Sequence, residues 1–244
     1  DPTFGLDTVW IEPTQREEAQ AMGYTVVDAG TVIATHLSQL LKDHAHEFLG
    51  HDEVQMLLDN LAKTSPKLVE SLVPNLLSLG AVLKVMQNLL SEGIPIRDVR
   101  TIAEALAEGA LKSQDPDALT GGVRMALSRT IYQQINGLED ELEVLSLEPQ
   151  LEQMLQDTLR GQQTSVGLEP GLAEQMLQQI SQGVARMEGE GKPAVLLVAA
   201  TLRSWLAGLV RTNHRGLHVL AYDEIPPEKR IKVSGSIGGA AAAA

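Results

Sequence analysis

Residues 143–159 read EVLSLEPQLEQMLQDTL, and residues 194–210 read AVLLVAATLRSWLAGLV. Each stretch begins with a short run rich in Val and Leu, which is typical of a buried strand, and continues into a segment that favours a helix. The pattern predicts strands over residues 143–147 and 194–198. Because strands that alternate with helices are typical of α/β proteins, this part of the chain is predicted to hold a mostly parallel sheet.

Two further strands extend this pattern toward the C-terminus. Residues 217–222 form an apolar run, and residues 231–237 alternate apolar and polar side chains, as an edge or half-exposed strand does. A helix is predicted over residues 172–187, after a loop at 161–171 that is rich in Gly, Gln, Ser and Thr. The sequence therefore predicts a small α/β domain after residue 136.

The residues before this domain carry a helical pattern. Apolar side chains recur at helical spacing, and Gly or Pro stands near most of the segment ends. A pair of glycines, Gly121 and Gly122, is a weak point inside the last of these helices. The predicted helices cover residues 52–62, 65–73, 79–92, 98–108 and 115–135.

The first 49 residues are predicted to form a strand, a short helix, a second strand and a long helix. The strands cover residues 8–11 and 24–27, and the long helix runs to Leu49. A strand, a crossover helix and a strand imply two parallel strands, which need further strands to complete a sheet. We expect those strands to precede Asp1, in a longer protein from which this chain is a piece. The long helix is predicted to carry one apolar face, which consists of Ile33, Leu37, Leu40, Leu41 and Phe48.

The predicted fold class is therefore α/β, mixed and helix-rich. It combines a partial βαβ unit, a central helical bundle and a small C-terminal α/β domain. A polyalanine tail closes the chain and is expected not to be native. The predicted units are residues 1–28 (a partial βαβ subdomain without its front portion), 29–49 (a long connecting helix of a truncated subdomain), 50–128 (the helical domain), 129–239 (the α/β domain) and 240–244 (the tail).

Composition excludes several classes of partner. The net charge is −13, from 19 basic and 32 acidic residues. Nucleic-acid binding draws most of its affinity from basic side chains, so we expect no nucleic-acid partner. A helix-turn-helix interpretation of residues 79–135 would use Arg97, Arg100, Arg124 and Arg129, but nearby acidic residues neutralise them. No run approaches the roughly 18 to 20 apolar residues that span a bilayer, and the absence of cysteine suits a cytosolic setting.

Three chemical motifs fail on spacing. His44, His46, Glu47 and His51 lie close in sequence, but a zincin motif needs two His four residues apart on one helix. Residues 189–193, GEGKP, lack the first Gly and the final Ser or Thr of a phosphate loop. The chain also has no Gly-x-Ser-x-Gly nucleophile elbow. We therefore expect no catalytic residue, no metal site and no cofactor.

A series of motifs carries a family resemblance. The order of these motifs along the chain is similar to that in the cytoplasmic region of the FHIPEP family, the large membrane export-gate proteins of type III secretion. The flagellar branch of the family matches best, and the resemblance weakens after about residue 134 before it resumes. The motifs are DPTFGL at 1–6, VWI at 9–11, GYTVVD at 23–28, TVIATHL at 31–37, LLD at 57–59, PKLVESLVP at 66–74, KVMQNLL at 84–90, IPIRDVRTI at 94–102, GLEP at 167–170 and PAVLL at 193–197.

The resemblance implies a docking platform and a site. In this family, the positions that match Asp1, Phe4 and Thr35 line an apolar dimple that receives export chaperones loaded with substrate, and Val27 matches a neighbouring wall position. Part of that wall would precede Asp1. The resemblance further implies contacts with other export-apparatus proteins, self-association of the full-length protein into a ring, and a place on the cytoplasmic side of the bacterial inner membrane.

The predicted function is thus a cytoplasmic docking platform of a flagellar type III export gate, which binds chaperone–substrate complexes and passes substrates to the membrane channel. It is not predicted to be an enzyme. Two alternatives stay open: the homologous gate of a virulence injectisome, and a small α/β enzyme that would use the C-terminal domain.

Overall fold

A computed structural model describes residues 1–3, 5–161, 170–211, 214 and 216–238. Its elements confirm a mixed, helix-rich α/β fold. The helices are α1 (Arg16–Ala21), α2 (Ala29–Asp43), α3 (His51–Ala62), α4 (Pro66–Glu70), α5 (Leu79–Ser91), α6 (Val99–Gly109), α7 (Pro116–Ala126), α8 (Ser128–Asn136), α9 (Pro149–Gly161), α10 (Pro170–Gly189) and α11 (Ala200–Arg211). The strands are β1 (Glu141–Leu147), β2 (Val195–Val198), β3 (His218–Ala221) and β4 (Arg230–Ile237).

The four strands form one parallel sheet in the order β3-β2-β1-β4. The sequence predicted all four strands to within about two residues, because each is an apolar run between polar turns. The prediction that β4 lies at an edge is confirmed. Its pairing with β1 is irregular between Val144 and Leu145, where the register shifts and Ser234 is passed over.

Both faces of the sheet are buried, as expected for parallel strands. One face packs into the core of the helical layer through Leu142, Val144, Val195, Leu197 and Leu220. The opposite face packs with α9, α10 and α11 in a second hydrophobic cluster. The first core therefore runs without interruption across residue 128, where the sequence predicted a domain boundary. The predicted boundaries themselves stay a prediction.

Polar side chains define where several helices of this layer begin. The hydroxyl of Ser78 and the carboxylates of Asp98 and Asp115 each accept a hydrogen bond from a backbone N–H in the first turn of α5, α6 and α7. Such caps satisfy donors that a helix leaves without a partner. Behind the caps, Leu89 and Leu106 are fully buried, so these helices hold the core together.

The predicted helix over 115–135 is two helices in the structure. The break falls at Leu127 between α7 and α8, and the pair Gly121 and Gly122 stays inside α7. Leu127 has φ −91° and ψ 7° and is 2% exposed. The backbone thus leaves helical geometry at this residue while its side chain stays in the core. The helix predicted over residues 65–73 is also shorter, since α4 ends at Glu70. A wide helical turn follows it and contains a cis peptide bond before Pro74.

The N-terminal segment, residues 1–48, departs most from the predictions. The strands expected at 8–11 and 24–27 are irregular here, because no described strand lies beside them to take up their backbone hydrogen bonds. The long helix α2 begins at Ala29, is capped by Asp28, and ends at Asp43 instead of the predicted Leu49; a short turn of Ala45–Glu47 follows. No residue of α2 is buried, so the apolar face of this helix is exposed.

No described helix is by itself long and apolar enough to cross a membrane. One bent pair, Pro66–Leu76 with Leu79–Ser91, meets the length and composition test when taken together, with 106° between its two parts.

Candidate functional site

The predicted docking residues lie in the N-terminal segment. Asp1 is half-buried, and its carboxylate Oδ1 accepts a hydrogen bond from the backbone N–H of Thr3 at 2.7 Å. Val27 is 53% exposed immediately before α2, and Thr35 is exposed in the second turn of that helix. Phe4 lies outside the described residues. Whether the four residues line one hollow therefore stays a prediction.

A stripe of apolar side chains runs along α2 next to Thr35. Ile33 is 67% exposed, Leu37 is 54% exposed and Leu41 is 49% exposed. No described element packs over this stripe. Contiguous apolar surface of this kind is costly to leave in water and usually marks a contact with another surface.

Exposed apolar residues concentrate in this segment. Of the twenty large hydrophobic residues that are exposed in the described part of the chain, twelve precede residue 49. The segment is also acidic, with six Asp or Glu and one Arg in residues 1–28. Its surface therefore suits a partner that offers apolar groups and basic or neutral polar groups. The twelve are Leu6, Val9, Trp10, Ile11, Met22, Tyr24, Val27, Ile33, Leu37, Leu40, Leu41 and Phe48.

The histidines at the end of α2 serve a local structural role. The His44 ring Nδ1 lies 2.7 Å from Glu47 Oε1, and that hydrogen bond is the main cause that lowers the pKa of the Glu47 carboxyl. The rings of His44 and His46 stack with centroids 6.5 Å apart. Across the described residues, no three His, Cys, Asp or Glu side chains converge as metal ligands would.

A buried group of four charged side chains joins the helical layer to the sheet; we call it the charge ring. The guanidinium of Arg124 in α7 donates from Nε and Nη2 to the two carboxylate oxygens of Glu224, each at 2.6 Å. It also donates from Nη1 to Glu92 Oε2 at 2.8 Å. The Arg203 Nη1 in α11 donates to the same Glu92 oxygen at 2.5 Å. The side chains of Arg124, Arg203 and Glu224 are at most 5% exposed.

Arg124 also covers the free edge of the sheet. Its Nη2 donates to the backbone carbonyl of Val219 in β3 at 3.2 Å. An open strand edge attracts other strands, so a side chain that takes its carbonyl blocks such pairing. Burial acts to lower the pKa of Arg124, but the hydrogen bonds and negative charges of Glu224 and Glu92 outweigh it and raise that pKa. The guanidinium therefore stays charged.

No pattern in the sequence indicated this group of charges. In the sequence, Arg124 is only one of four arginines that a nucleic-acid-binding motif could use. In the structure its guanidinium donates hydrogen bonds to Glu224, Glu92 and the backbone carbonyl of Val219. The partners Arg124 and Glu224 are separated by 100 residues. No local pattern could have linked them.

A cavity of about 720 Å³ opens beside the charge ring. Its wall includes the ends of α2 and α5, parts of α7, α8 and α11, and β3. Apolar side chains such as Leu90, Ile131 and Val210 form much of it, and Glu92 and Arg124 lie in its wall. His218 also lines it, and burial followed by the charge of Arg124 lowers the pKa of its imidazole.

α/β enzymes place their active sites at the carboxyl ends of the parallel strands. In this chain, a hydrogen bond between α9 and the residue after β2 occupies that edge. Glu152 Oε1 in α9 accepts a hydrogen bond from the backbone N–H of Ala199 at 2.7 Å, just before α11 begins. The carboxylate is thus used to cap a helix. This edge gives no support to the alternative of a small α/β enzyme.

Comparisons with known proteins establish the class. The chain matches the FHIPEP family over residues 1–230. It is 46% identical over 239 residues to the flagellar biosynthesis protein FlhA of Escherichia coli (strain K12), with 98% of this chain and 34% of that protein covered. The chain belongs to the FHIPEP family.

Solved structures agree with the fold. The Chlamydia pneumoniae CdsV protein superimposes with a TM-score of 0.81 at 29% identity, over 96% of this chain and 67% of that one. The nonameric SctV-C of EPEC gives a TM-score of 0.78 at 25% identity, over 92% of this chain and 68% of that one. The chain spans about a third of the length of the flagellar relative, since 34% of that protein is covered.

Proposed function

We propose that this chain belongs to the cytoplasmic portion of a flagellar type III export gate and that its N-terminal segment docks export chaperones loaded with substrate. The observation that carries the proposal is the exposed apolar surface of residues 1–48, which includes Trp10 at 82% and Val27 at 53% exposure. A partner helix or extended segment that covers this surface removes it from water, which is the main driving force of such contacts.

The remaining features of the proposal follow from the family. The whole protein would assemble into a ring, as the nonameric relative SctV-C does, at the cytoplasmic side of the bacterial inner membrane. It would hand substrates to a membrane channel and contact other export-apparatus proteins. Binding of a loaded chaperone would shift the population of gate conformations only to the extent that it favours one of them.

The similarity favours the flagellar gate over the injectisome gate. Identity to the flagellar FlhA of Escherichia coli is 46%, whereas identity to the CdsV structure is 29%. Competition between flagellar and injectisome chaperones for the immobilised chain checks this choice. Preferential retention of injectisome chaperones would reverse it.

Replacement of Phe4 by Ala tests the docking site. If Phe4 anchors the partner, the Kd measured by calorimetric titration with a flagellar chaperone–substrate complex rises roughly 30-fold or more, as loss of an aromatic anchor does. The melting temperature of the chain is expected to stay within about 2 °C of the parent, since the proposal gives Phe4 a role in docking and none in folding.

The matched control is Leu111→Ala, since Leu111 is 76% exposed and lies outside residues 1–48. Its affinity for the same complex is expected to match that of the parent. Equal affinity of the Phe4→Ala variant and the parent would show that the chaperone docks elsewhere.

A further inference from the structure

The charge ring has two carboxylates that are held differently. Glu224 accepts hydrogen bonds from Arg124 on both oxygens, its Oε1 also lies 3.8 Å from Arg203 Nε, and its side chain is 2% exposed. Glu92 holds Arg124 and Arg203 through one oxygen, Oε2, and its side chain is 15% exposed. No described residue donates a hydrogen bond to Glu92 Oε1. Glu92 is therefore the less tightly held carboxylate of the charge ring.

The cavity reaches the carboxylate of Glu92 but not that of Glu224. Glu92 and Arg124 are part of the cavity wall, whereas Glu224 and Arg203 are not. Two guanidiniums, Arg124 and Arg203, meet at the Glu92 carboxylate. Since arginines bind any suitably placed carboxylate, a second carboxylate that enters the cavity has the same two donors available once Glu92 moves aside.

The other residues of the cavity wall indicate which side chains would lie next to that second carboxylate. Leu90, Ile94, Ile131, Val210 and Leu217 supply apolar surface, which stabilises the apolar neighbours of an acidic residue. Two cations, Lys42 and Arg211, also line the cavity and have no ion pair with a described residue. The acidic residues of the wall other than Glu92 are already engaged: Glu47 binds His44, and Asp43 binds Gln39.

We propose that this cavity receives an acidic side chain, flanked by apolar residues, from a partner protein, and that its carboxylate replaces Glu92 on Arg124 and Arg203. Glu92 directly follows α5 in the helical layer, while Arg203 belongs to α11 on the far side of the sheet. Replacement would release the end of α5 from α11 while the Arg124–Glu224 pair keeps the sheet edge covered. The inference does not depend on the proposed chaperone site.

Chemical rescue tests the exchange. Glu92→Ala leaves a carboxylate-sized vacancy beside two buried guanidiniums, and its melting temperature is expected to fall by roughly 5 to 10 °C in sodium chloride. In sodium acetate of equal concentration, acetate enters through the cavity, and we expect the melting temperature to recover by about half of that loss.

Glu224→Ala is the matched control because it removes a carboxylate of the same ring that the cavity does not reach. Its melting temperature is expected to be equal in acetate and in chloride. Glu92→Gln fills the vacancy with an uncharged side chain of the same shape, so it too should gain nothing from acetate.

The proposal is overturned if acetate and chloride have the same effect on Glu92→Ala, or if that variant stays unfolded in both salts. Equal rescue of Glu224→Ala would also contradict it, because acetate would then act without the cavity. Failure of the Phe4→Ala test would leave all of these measurements unaffected.

Discussion

The N-terminal segment and the sheet contain similar apolar side chains and place them in opposite environments. Leu196 of β2 is fully buried between two layers, while Leu37 of α2 is 54% exposed. Both regions show an apolar pattern in sequence, a continuous run in β2 and a helical repeat in α2. The contrast teaches that periodicity identifies an apolar face, whereas a second element within the chain is needed to bury it.

The largest expected effect concerns two Arg–Glu pairs that join the same parts of the chain. Arg124→Gln removes a cation that is 3% exposed and leaves the buried Glu224 without its bidentate partner, so the free energy of unfolding should fall by about 3–5 kcal/mol. Arg129→Gln breaks the Arg129–Glu228 pair, in which Arg129 is 79% exposed, and should cost at most about 1 kcal/mol.

Urea unfolding followed by circular dichroism measures both variants. If the two losses were equal, burial would not distinguish the pairs, and the charge ring would be an ordinary surface contact.

The second prediction compares two helical leucines. Leu89→Ala in α5 opens a cavity in a core where Leu89 is 0% exposed, and we expect a loss of about 2–5 kcal/mol in the free energy of unfolding. Leu37→Ala in α2 should change it by no more than about 0.5 kcal/mol, because Leu37 is already half in water. A large loss at Leu37, read from the same urea titrations, would mean that α2 packs on the remaining structure.

The third prediction uses two matching helix caps. Asp98 accepts hydrogen bonds from Thr101 N at 3.0 Å and Thr101 Oγ1 at 2.7 Å, and Asp28 accepts them from Thr31 at 2.9 and 2.7 Å. Asp98→Ala should lower the free energy of unfolding by about 1 kcal/mol, because α6 is packed into the core. Asp28→Ala should leave it unchanged and only fray α2, which amide hydrogen exchange detects.

The cap of α6 also gives a pH dependence. The Thr101 side chain, followed by its backbone N–H, lowers the pKa of the Asp98 carboxyl below its usual value of 3.8. A carboxyl whose pKa is lower in the folded state adds stability above its unfolded pKa and loses it as the pH falls through the folded one. The difference in unfolding free energy between parent and Asp98→Ala should therefore be constant above about pH 5 and shrink below about pH 4. A constant difference at all pH values would show that the carboxylate charge is irrelevant to the cap.

Local signals located most of the elements after residue 50. The apolar run of β2 and the caps at Asp98 and Asp115 mark ends that neighbouring residues decide, and the structure places them there. The sequence predicted one helix over residues 115–135 and gave no sign of the break at Leu127, a residue whose burial depends on contacts that are not local. The strands at 8–11 and 24–27 were predicted and are not formed, since a strand requires a partner that the described chain does not supply beside them.

For the candidate site, the family motifs in the sequence named Asp1, Phe4, Val27 and Thr35, and the structure shows Val27 and Thr35 at the surface. The charge ring could not be named in advance. Its members Glu92, Arg124, Arg203 and Glu224 come from four separate elements, and charged residues are common enough that none attracts notice alone.

The order of amino acids by itself determined the family, the parallel α/β class of the C-terminal half and most helix ends, because these depend on residues that are neighbours along the chain. Only the tertiary structure decided which apolar faces are covered, where α7 ends and which charges are buried together. Those outcomes depend on contacts between segments up to 100 residues apart in sequence, as between Arg124 and Glu224. The free energy of such a contact depends on both partners, so it cannot be inferred from a short stretch that contains only one of them.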